Sequence, residues 1–73
     1  MSEVDPSLTT PQLMQLAADH SLNRVSLTDS DKAVLIGLLK QRGADELEYG
    51  QEVECENVRL IKRVTGAIGL YFK

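Results

Sequence analysis

The stretch "NVRLIKRVTGAIGLYFK", residues 57–73, decides the fold because it can be interpreted in two ways. As a helix, it would place its aliphatic side chains on one face and its basic side chains on the opposite face. The glycines in "TGAIG" count against a helix, since each costs about 1 kcal/mol relative to alanine in a helix interior. The alternative is a helix or strand through Val64, a turn at "TG" and a final strand "AIGLYF". We predict a C-terminal amphipathic helix over residues 57–65 and leave residues 66–73 as either helix or strand.

The segment that precedes this stretch is acidic and alternating. In "ELEYGQEVEC", residues 46–55, apolar side chains alternate with glutamates, which is typical of half-buried strands. "YGQE" can form a turn between two such strands. We therefore predict a short acidic β-hairpin, with one apolar face toward the core and one acidic face toward solvent.

Two helices are predicted in the first half of the chain. The dipeptide "TP" at residues 10–11 is a typical helix start, with threonine as the cap and proline at the first helical position. Thr28 begins the second helix, where "TDSD" resembles a capping box with Asp31 in place of glutamate. Apolar residues 33–39 cover most of its circumference, as in a central helix, and Gly43 is typical of a helix end.

The predicted fold class is α+β, with two N-terminal helices, a short acidic β-hairpin and a C-terminal amphipathic helix. A chain of 73 residues makes one small domain. Residues 1–9 are predicted to be a flexible N-terminal arm, and residues 10–73 a single compact domain. Because aromatic residues are scarce, the core should be aliphatic. The predicted core consists of Leu13, Leu16, Val34, Leu35, Leu38, Leu39, Val53, Ile61, Val64 and Ile68.

Composition and charge disfavour several classes of protein. The net charge of −3 opposes general binding to nucleic acids or membranes, whose surfaces are negative. Cys55 is the only cysteine, so no internal disulfide can form, which is typical of a reducing cytosol. "MSEVDPSLTT" lacks the features of a signal peptide, and the apolar run "AVLIGLL" is too short to span a bilayer. We therefore expect a cytoplasmic protein, in its own cell or in a host cell, and we expect a monomer.

No pattern of residues predicts catalysis. "DHS" at residues 19–21 contains the residue types of a serine triad, but a triad is assembled from separated positions. Cys55 has no second histidine to pair with, and one histidine with one cysteine cannot make an ordinary zinc site. The sequence contains no glycine-rich phosphate loop. We therefore predict a non-enzymatic protein that uses no metal or cofactor.

An EF-hand calcium loop is matched only in part. "DELEYGQEVECE" has Asp45 in the first place, Gly50 in the sixth and Glu56 in the twelfth, as such a loop requires. Leu47 and Tyr49 occupy the third and fifth places, where oxygen ligands belong. The pattern therefore disfavours calcium binding.

Acidic and basic residues are separated along the chain. Residues 44–56 hold six acidic side chains and no basic one, whereas residues 57–73 hold four basic side chains and no acidic one. The two blocks can pair within the fold, where exposed ion pairs contribute only about 0–1 kcal/mol, or they can dock onto other molecules. The predicted protein-binding residues are Arg59, Lys62 and Arg63 in one set, and Glu46, Glu48, Glu52 and Glu54 in the other.

Direct DNA recognition and a structural or assembly role are the alternatives to regulatory protein binding. "TPQLMQLAADHSLNRVSLTDSDKAVLIGLL" resembles a helix-turn-helix in outline. A recognition helix should offer basic and polar side chains in its first turns, but this one begins with Asp29 and Asp31 and continues with aliphatic residues. Nucleic-acid binding is therefore less favoured than protein binding.

In length and general character the chain resembles the small regulators that lytic bacteriophages make against host machinery. Such regulators are compact single domains with uneven charge and with neither a signal peptide nor a disulfide, and here "EYGQEVECENVRLIKRV" holds the charge contrast. The resemblance implies a protein that contacts the large subunits of bacterial RNA polymerase and weakens the hold of the sigma factor. It also implies inhibited initiation or altered termination of transcription, in the cytoplasm of the host.

Overall fold

The computed structural model describes residues 4–72, which form two helices followed by a three-stranded sheet. The helices are α1 (Thr10–Ser21) and α2 (Asp29–Glu46), and the strands are β1 (Glu52–Cys55), β2 (Val58–Lys62) and β3 (Ile68–Phe72). The sheet is antiparallel, with the strand order β1-β2-β3. Both helices pack on one face of it, α1 against β1 and β2, and α2 against β2 and β3. The α+β class is therefore correct, but the predicted arrangement of elements is not.

The predicted C-terminal helix is wrong, because β2 and β3 occupy its place. Between them, the N–H of Arg63 donates to the carbonyl of Ala67 (2.8 Å), and the N–H of Gly66 donates to the carbonyl of Arg63 (2.8 Å). Gly66 has a φ of 93°, a left-handed conformation that closes a short hairpin loop. The alternative interpretation, a turn at "TG" and a final strand, is the one found. A strand is favoured because β2 buries alternate side chains, Val58 and Leu60, beneath the helices.

The predicted acidic hairpin is displaced along the chain. "YGQE" does contribute to a turn, since the N–H of Gln51 donates to the carbonyl of Glu48 (2.9 Å) and Gly50 has a φ of 82°. That turn connects α2 to β1, however, and does not join two strands. The hairpin turn lies at Glu56 and Asn57, where β1 reverses into β2. Only the second half of the acidic segment is therefore a strand, and its partner is the basic strand β2.

Capping hydrogen bonds set the start of each helix. For α1 the cap is Thr9 rather than Thr10: the Thr9 side chain accepts from the N–H of Gln12 (3.4 Å), and the Gln12 side chain accepts from the N–H of Thr9 (2.9 Å). For α2 the predicted cap is confirmed, since Oγ1 of Thr28 accepts from the N–H of Asp31 (3.1 Å). These bonds satisfy N–H groups that have no partner within the helix.

Gly43 does not end α2, which continues to Glu46. A Cβ atom on Gly43 would lie 3.1 Å from Cγ2 of Ile68 and 3.5 Å from Cδ1 of Leu60. The side chains of the sheet therefore reach the backbone of the helix at this point. The glycine permits close approach of α2 to β2 and β3, and its role as a helix end was wrongly predicted.

The hydrophobic core lies between the helices and the inner face of the sheet. Three predicted core residues are buried, namely Leu13, Leu35 and Leu39. Four more are partly buried against this core, namely Leu16, Leu38, Val53 and Ile68. The prediction missed the buried residues Val4, Met14, Ala17, Ala18, Leu47, Val58 and Leu60.

Three predicted core residues lie elsewhere. Val34 is 50% exposed because α2 faces the core along one stripe only, although its sequence is apolar on most sides. Val64 is 79% exposed because it lies in the loop between β2 and β3 and not in a helix. Ile61 is half-buried and points to the face of the sheet that the helices do not cover.

Residues 4–9 lead into α1 and include one core residue. Val4 is 5% exposed, and Leu8 packs against the core from a turn that is closed by its N–H donating to the carbonyl of Asp5 (3.0 Å). Hydrogen bonds from the backbone N–H and the hydroxyl of Ser7 lower the pKa of Asp5. Residues 1–3 of the predicted arm lie outside the described residues, and the flexibility of residues 1–9 stays a prediction.

The helix–sheet contact can be tested with the two glycines of α2, since nothing lies within 4 Å of a Cβ atom on Gly37. We expect Gly37→Ala to raise the free energy of unfolding by about 0.5–1 kcal/mol, because alanine is the better helix former. Gly43→Val should lower it by roughly 1–3 kcal/mol, because the added methyl groups overpack the contact with Ile68. Urea denaturation followed by circular dichroism measures both values. Gly37→Val is the control for the low helix propensity of valine, and equal losses at both positions would contradict the close contact.

Candidate protein-binding face

The sheet has one face that the helices do not cover. Alternate residues of each strand point away from the core, and we call the surface that they form the outer face. No helix or strand among residues 4–72 packs on it. The outer face consists of the strand residues Glu52, Glu54, Arg59, Ile61, Gly69 and Tyr71, together with Arg63 of the following loop, whose side chain contacts Tyr71.

Tyr71 lies at the centre of a small cluster on the outer face. A Cβ atom on Gly69 would come within 2.7 Å of Cε2 of Tyr71, so the ring lies directly over the glycine backbone. The guanidinium groups of Arg59 and Arg63 lie 5.8 Å and 6.0 Å from the ring centroid. Arg63 also donates a hydrogen bond to the hydroxyl of Tyr71. Two cations thus lie close to the ring, while 40% of the residue remains exposed.

Part of the acidic block meets part of the basic block on this face. Nη1 of Arg59 lies 3.8 Å from Oε2 of Glu52, and Glu54 is the direct cross-strand neighbour of Arg59. Both partners of the ion pair are about half exposed, at 44% and 50%, so the pair contributes only about 0–1 kcal/mol. The hypothesis of pairing within the fold is therefore confirmed for Glu52 and Arg59. The guanidinium group of Arg59 nevertheless remains accessible to solvent.

Lys62 does not share a face with the two arginines. A helix would have placed all three basic side chains together, but neighbours in a strand point to opposite faces. Nζ of Lys62 donates to the carbonyl of Ala44 (2.9 Å) near the end of α2, where the helix dipole favours a cation. It also lies 4.6 Å from the ring centroid of Tyr49. The predicted basic set is therefore divided between two sites.

The predicted acidic set is divided as well. Glu46 ends α2, where it accepts a hydrogen bond from the hydroxyl of Thr10 (2.8 Å) and lies 3.6 Å from Nη1 of Arg42. Glu48 is exposed in the turn that follows α2. Only Glu52 and Glu54 lie on the outer face.

Glu56 and Arg24 form a further ion pair at the opposite end of the molecule. Nη1 of Arg24 lies 3.0 Å from Oε2 of Glu56 and 3.3 Å from Oδ1 of Asp19. The hydrogen bond to Asp19 and the charge of Glu56 raise the pKa of Arg24. This contact ties the turn between β1 and β2 to the end of α1, so its role is structural.

A shallow cavity near the end of α1 is lined by His20, Ser21, Lys32 and Phe72. Nδ1 of His20 is buried and finds no hydrogen-bond partner among residues 4–72, and Sγ of Cys55 lies 3.4 Å from Oε1 of Gln15. Within residues 4–72, no three side chains of histidine, cysteine, aspartate or glutamate are grouped so that they could hold a metal ion. We therefore take the outer face, and not this cavity, as the candidate site.

Sequence reasoning missed Tyr71 and Gly69 as parts of this face. Their signal was the alternation in "GLYF", which places Gly69 and Tyr71 on one side of a strand. This alternation was overlooked because residues 57–65 were interpreted as a helix.

No protein-family model, curated protein or solved structure matches this chain. Across residues 4–72, no helix combines the length and the apolar character needed to cross a bilayer.

The weakness of the outer ion pair can be measured with a double-mutant cycle. We expect Glu52→Gln and Arg59→Gln each to change the free energy of unfolding by less than about 1 kcal/mol, because both groups are half exposed. The coupling between them should be below about 1 kcal/mol and should fall at high salt. A coupling that is larger and insensitive to salt would contradict the description of this pair as solvated. Chemical denaturation at two salt concentrations provides these values.

Proposed function

We propose that this chain is a non-enzymatic regulatory protein that binds another protein through the outer face of its sheet. The observation that supports this most is the cluster at Tyr71, a partly exposed tyrosine flanked by two arginines. Tyrosine and arginine are the residue types, with tryptophan, that most often dominate the binding energy of interfaces. The packing of the ring against the backbone of Gly69 also restricts its rotamers before binding, which would lower the entropic cost of association.

The charges of the outer face favour a protein partner over a nucleic acid. Phosphates approaching Arg59 would also meet the carboxylates of Glu52 and Glu54, which lie on the neighbouring strand. Nucleic-acid binding normally needs an uninterrupted basic surface, because affinity comes from neutralising several phosphates together. A protein partner can instead match a mixed surface, with acidic groups opposite the arginines and basic groups opposite the glutamates.

The specific partner that we propose is bacterial RNA polymerase. This proposal rests on the resemblance, in length and general character, to the small regulators of lytic bacteriophages, which are compact domains of uneven charge and which the resemblance implies contact the host polymerase. Binding would inhibit initiation or alter termination in the cytoplasm of the host. The mixed charge of the outer face is compatible with a polymerase surface, which offers both basic and acidic regions.

A capture experiment tests the outer face and the partner together. The tagged chain is immobilised, exposed to a bacterial lysate, and washed at physiological salt before mass spectrometry of the retained proteins. We expect polymerase subunits to be enriched, and we expect Arg59→Gln with Arg63→Gln to reduce their recovery at least about tenfold. A tenfold loss corresponds to about 1.4 kcal/mol, which is typical of removing arginine side chains from the centre of an interface.

The control is Lys32→Gln with Lys40→Gln, which removes the same charge from exposed positions of α2. Equal losses with both double variants would show that net charge, not the outer face, governs capture. If no polymerase subunit is enriched, the proposed partner is wrong. If the chain instead shifts labelled duplex DNA with a steep salt dependence, the choice of a protein partner is wrong.

A further inference from the structure

One edge of the sheet is formed by β3. The strand pairs with β2 on one side, and no other strand among residues 4–72 pairs with its second side. Because Arg63 and Ala67 form a hydrogen-bonded pair, the alternation of an antiparallel ladder directs the backbone groups of Gly69 and Tyr71 toward β2. The N–H and C=O groups of Ile68, Leu70 and Phe72 therefore point outward at the edge.

The two edges of the sheet differ in how well they resist pairing. The edge strand β1 has only four residues, and two of them are Glu52 and Glu54, so a second β1 would bring like charges together. The strand β3 has five residues, "IGLYF", with no charge and no proline. Native proteins normally protect an apolar edge with charged residues, proline or a bulge, and β3 has none of these.

Although the sequence led us to expect a monomer, we propose that two copies of this chain associate through β3, which pairs with β3 of the second copy in antiparallel orientation. The pairing is centred on Leu70 opposite Leu70 of the second copy, and it joins the two sheets into one continuous sheet. Such an interface is two-fold symmetric, with the same residues contributed by both copies. This inference is independent of the proposed partner and of the outer-face arginines.

The direction of the backbone groups selects this register. With Leu70 at the centre, Ile68 faces Phe72 of the second copy on both sides, so every outward N–H and C=O group of the three residues finds a partner. A slip of two residues in either direction leaves one of the three outward-facing residues in each copy unpaired. A slip of one residue places the outward N–H and C=O groups of one copy opposite residues whose own groups point toward β2. The hydrogen bonds between the two copies are then lost.

The side chains of β3 match one another in the same register. On the outer face, Gly69 lies opposite Tyr71 of the second copy, and neither residue brings a charge to the contact. On the inner face, Ile68 lies opposite Phe72, which is 45% exposed in the single chain. Pairing would cover part of this phenylalanine and would leave no charged side chain between the two strands. A second copy of β3 is therefore a suitable partner for this edge, because it is apolar and uncharged.

The contact is small, since it uses one strand of five residues from each copy. Interfaces of this size are weak, and the association should depend strongly on concentration. The proposed dimer would place both Tyr71 clusters on one continuous outer face.

Hydrogen exchange and sedimentation test the proposal on the intact chain. In dilute solution we expect the mass of a single chain, 8.1 kDa, and fast amide exchange at Ile68, Leu70 and Phe72. With rising concentration the mass should approach twice that value, and exchange at these three amides should slow at least about tenfold, since each N–H gains a partner. The amides of Gly69 and Tyr71 should remain protected at every concentration, because they bond to β2.

Two substitutions of Phe72 distinguish the contribution of its backbone N–H to dimerisation from the contribution of its side chain. Phe72→Pro removes an outward N–H and leaves the ladder to β2 intact, as proline is tolerated at the solvent side of an edge strand. Phe72→Ala removes the aromatic side chain of the same residue but keeps its backbone N–H. We expect Phe72→Pro to weaken dimerisation at least about tenfold more than Phe72→Ala does, with the amide spectrum of the dilute chain confirming that both fold.

A chain that stays monomeric at millimolar concentration, with unprotected edge amides, overturns the proposal. So does a dimer that Phe72→Pro does not weaken, because it would use another surface. Capture of polymerase by the dilute monomer supports the proposed partner whatever the result here, so the two proposals can fail separately.

Discussion

Burial of Val58 and Leu60 between the sheet and the helices is the constraint on which the structure depends. Both side chains are completely buried, and they come from alternate positions of the central strand. Once they point inward, the period of a strand directs Arg59 and Ile61 outward. The same constraint therefore builds the core on one side of the sheet and the candidate binding face on the other. Gly43 allows this burial, because a larger residue at that position would hold α2 away from the strands.

The electrostatic arrangement follows from this topology. An acidic segment and a basic segment that adjoin in sequence become neighbouring antiparallel strands, so their charges meet and do not form two separate surfaces. The resulting ion pair is solvated and contributes little to stability. In the function that we propose, its greater effect would be on recognition, because carboxylates beside the arginines would make the face selective for a partner with both charges. The aromatic ring between the arginines adds apolar area at the centre of that face.

The outer face and the β3 edge are parts of one surface, and Tyr71 belongs to both. Its side chain contacts Arg59 and Arg63, and its backbone joins β3 to β2. A ligand on the face and a strand on the edge would thus approach the same strand from perpendicular directions. The apolar sequence of β3 serves the core through Ile68 and Leu70, which explains why charged residues do not protect this edge.

The sequence alone determined the elements whose signals are local. The helix start at Thr28, the α+β class and the buried stripe through Leu35 and Leu39 follow from capping and periodicity over a few neighbouring residues. Only the tertiary structure decided that the tail forms strands, that Gly43 serves as a contact, and that Lys62 and Arg63 point in opposite directions. These three features depend on which residues pack against each position. A glycine at a packing contact and a glycine at a helix end cannot be told apart in the sequence. The candidate binding face could not be located from the sequence, because it forms only when three strands pair, and no single strand determines the register of that pairing.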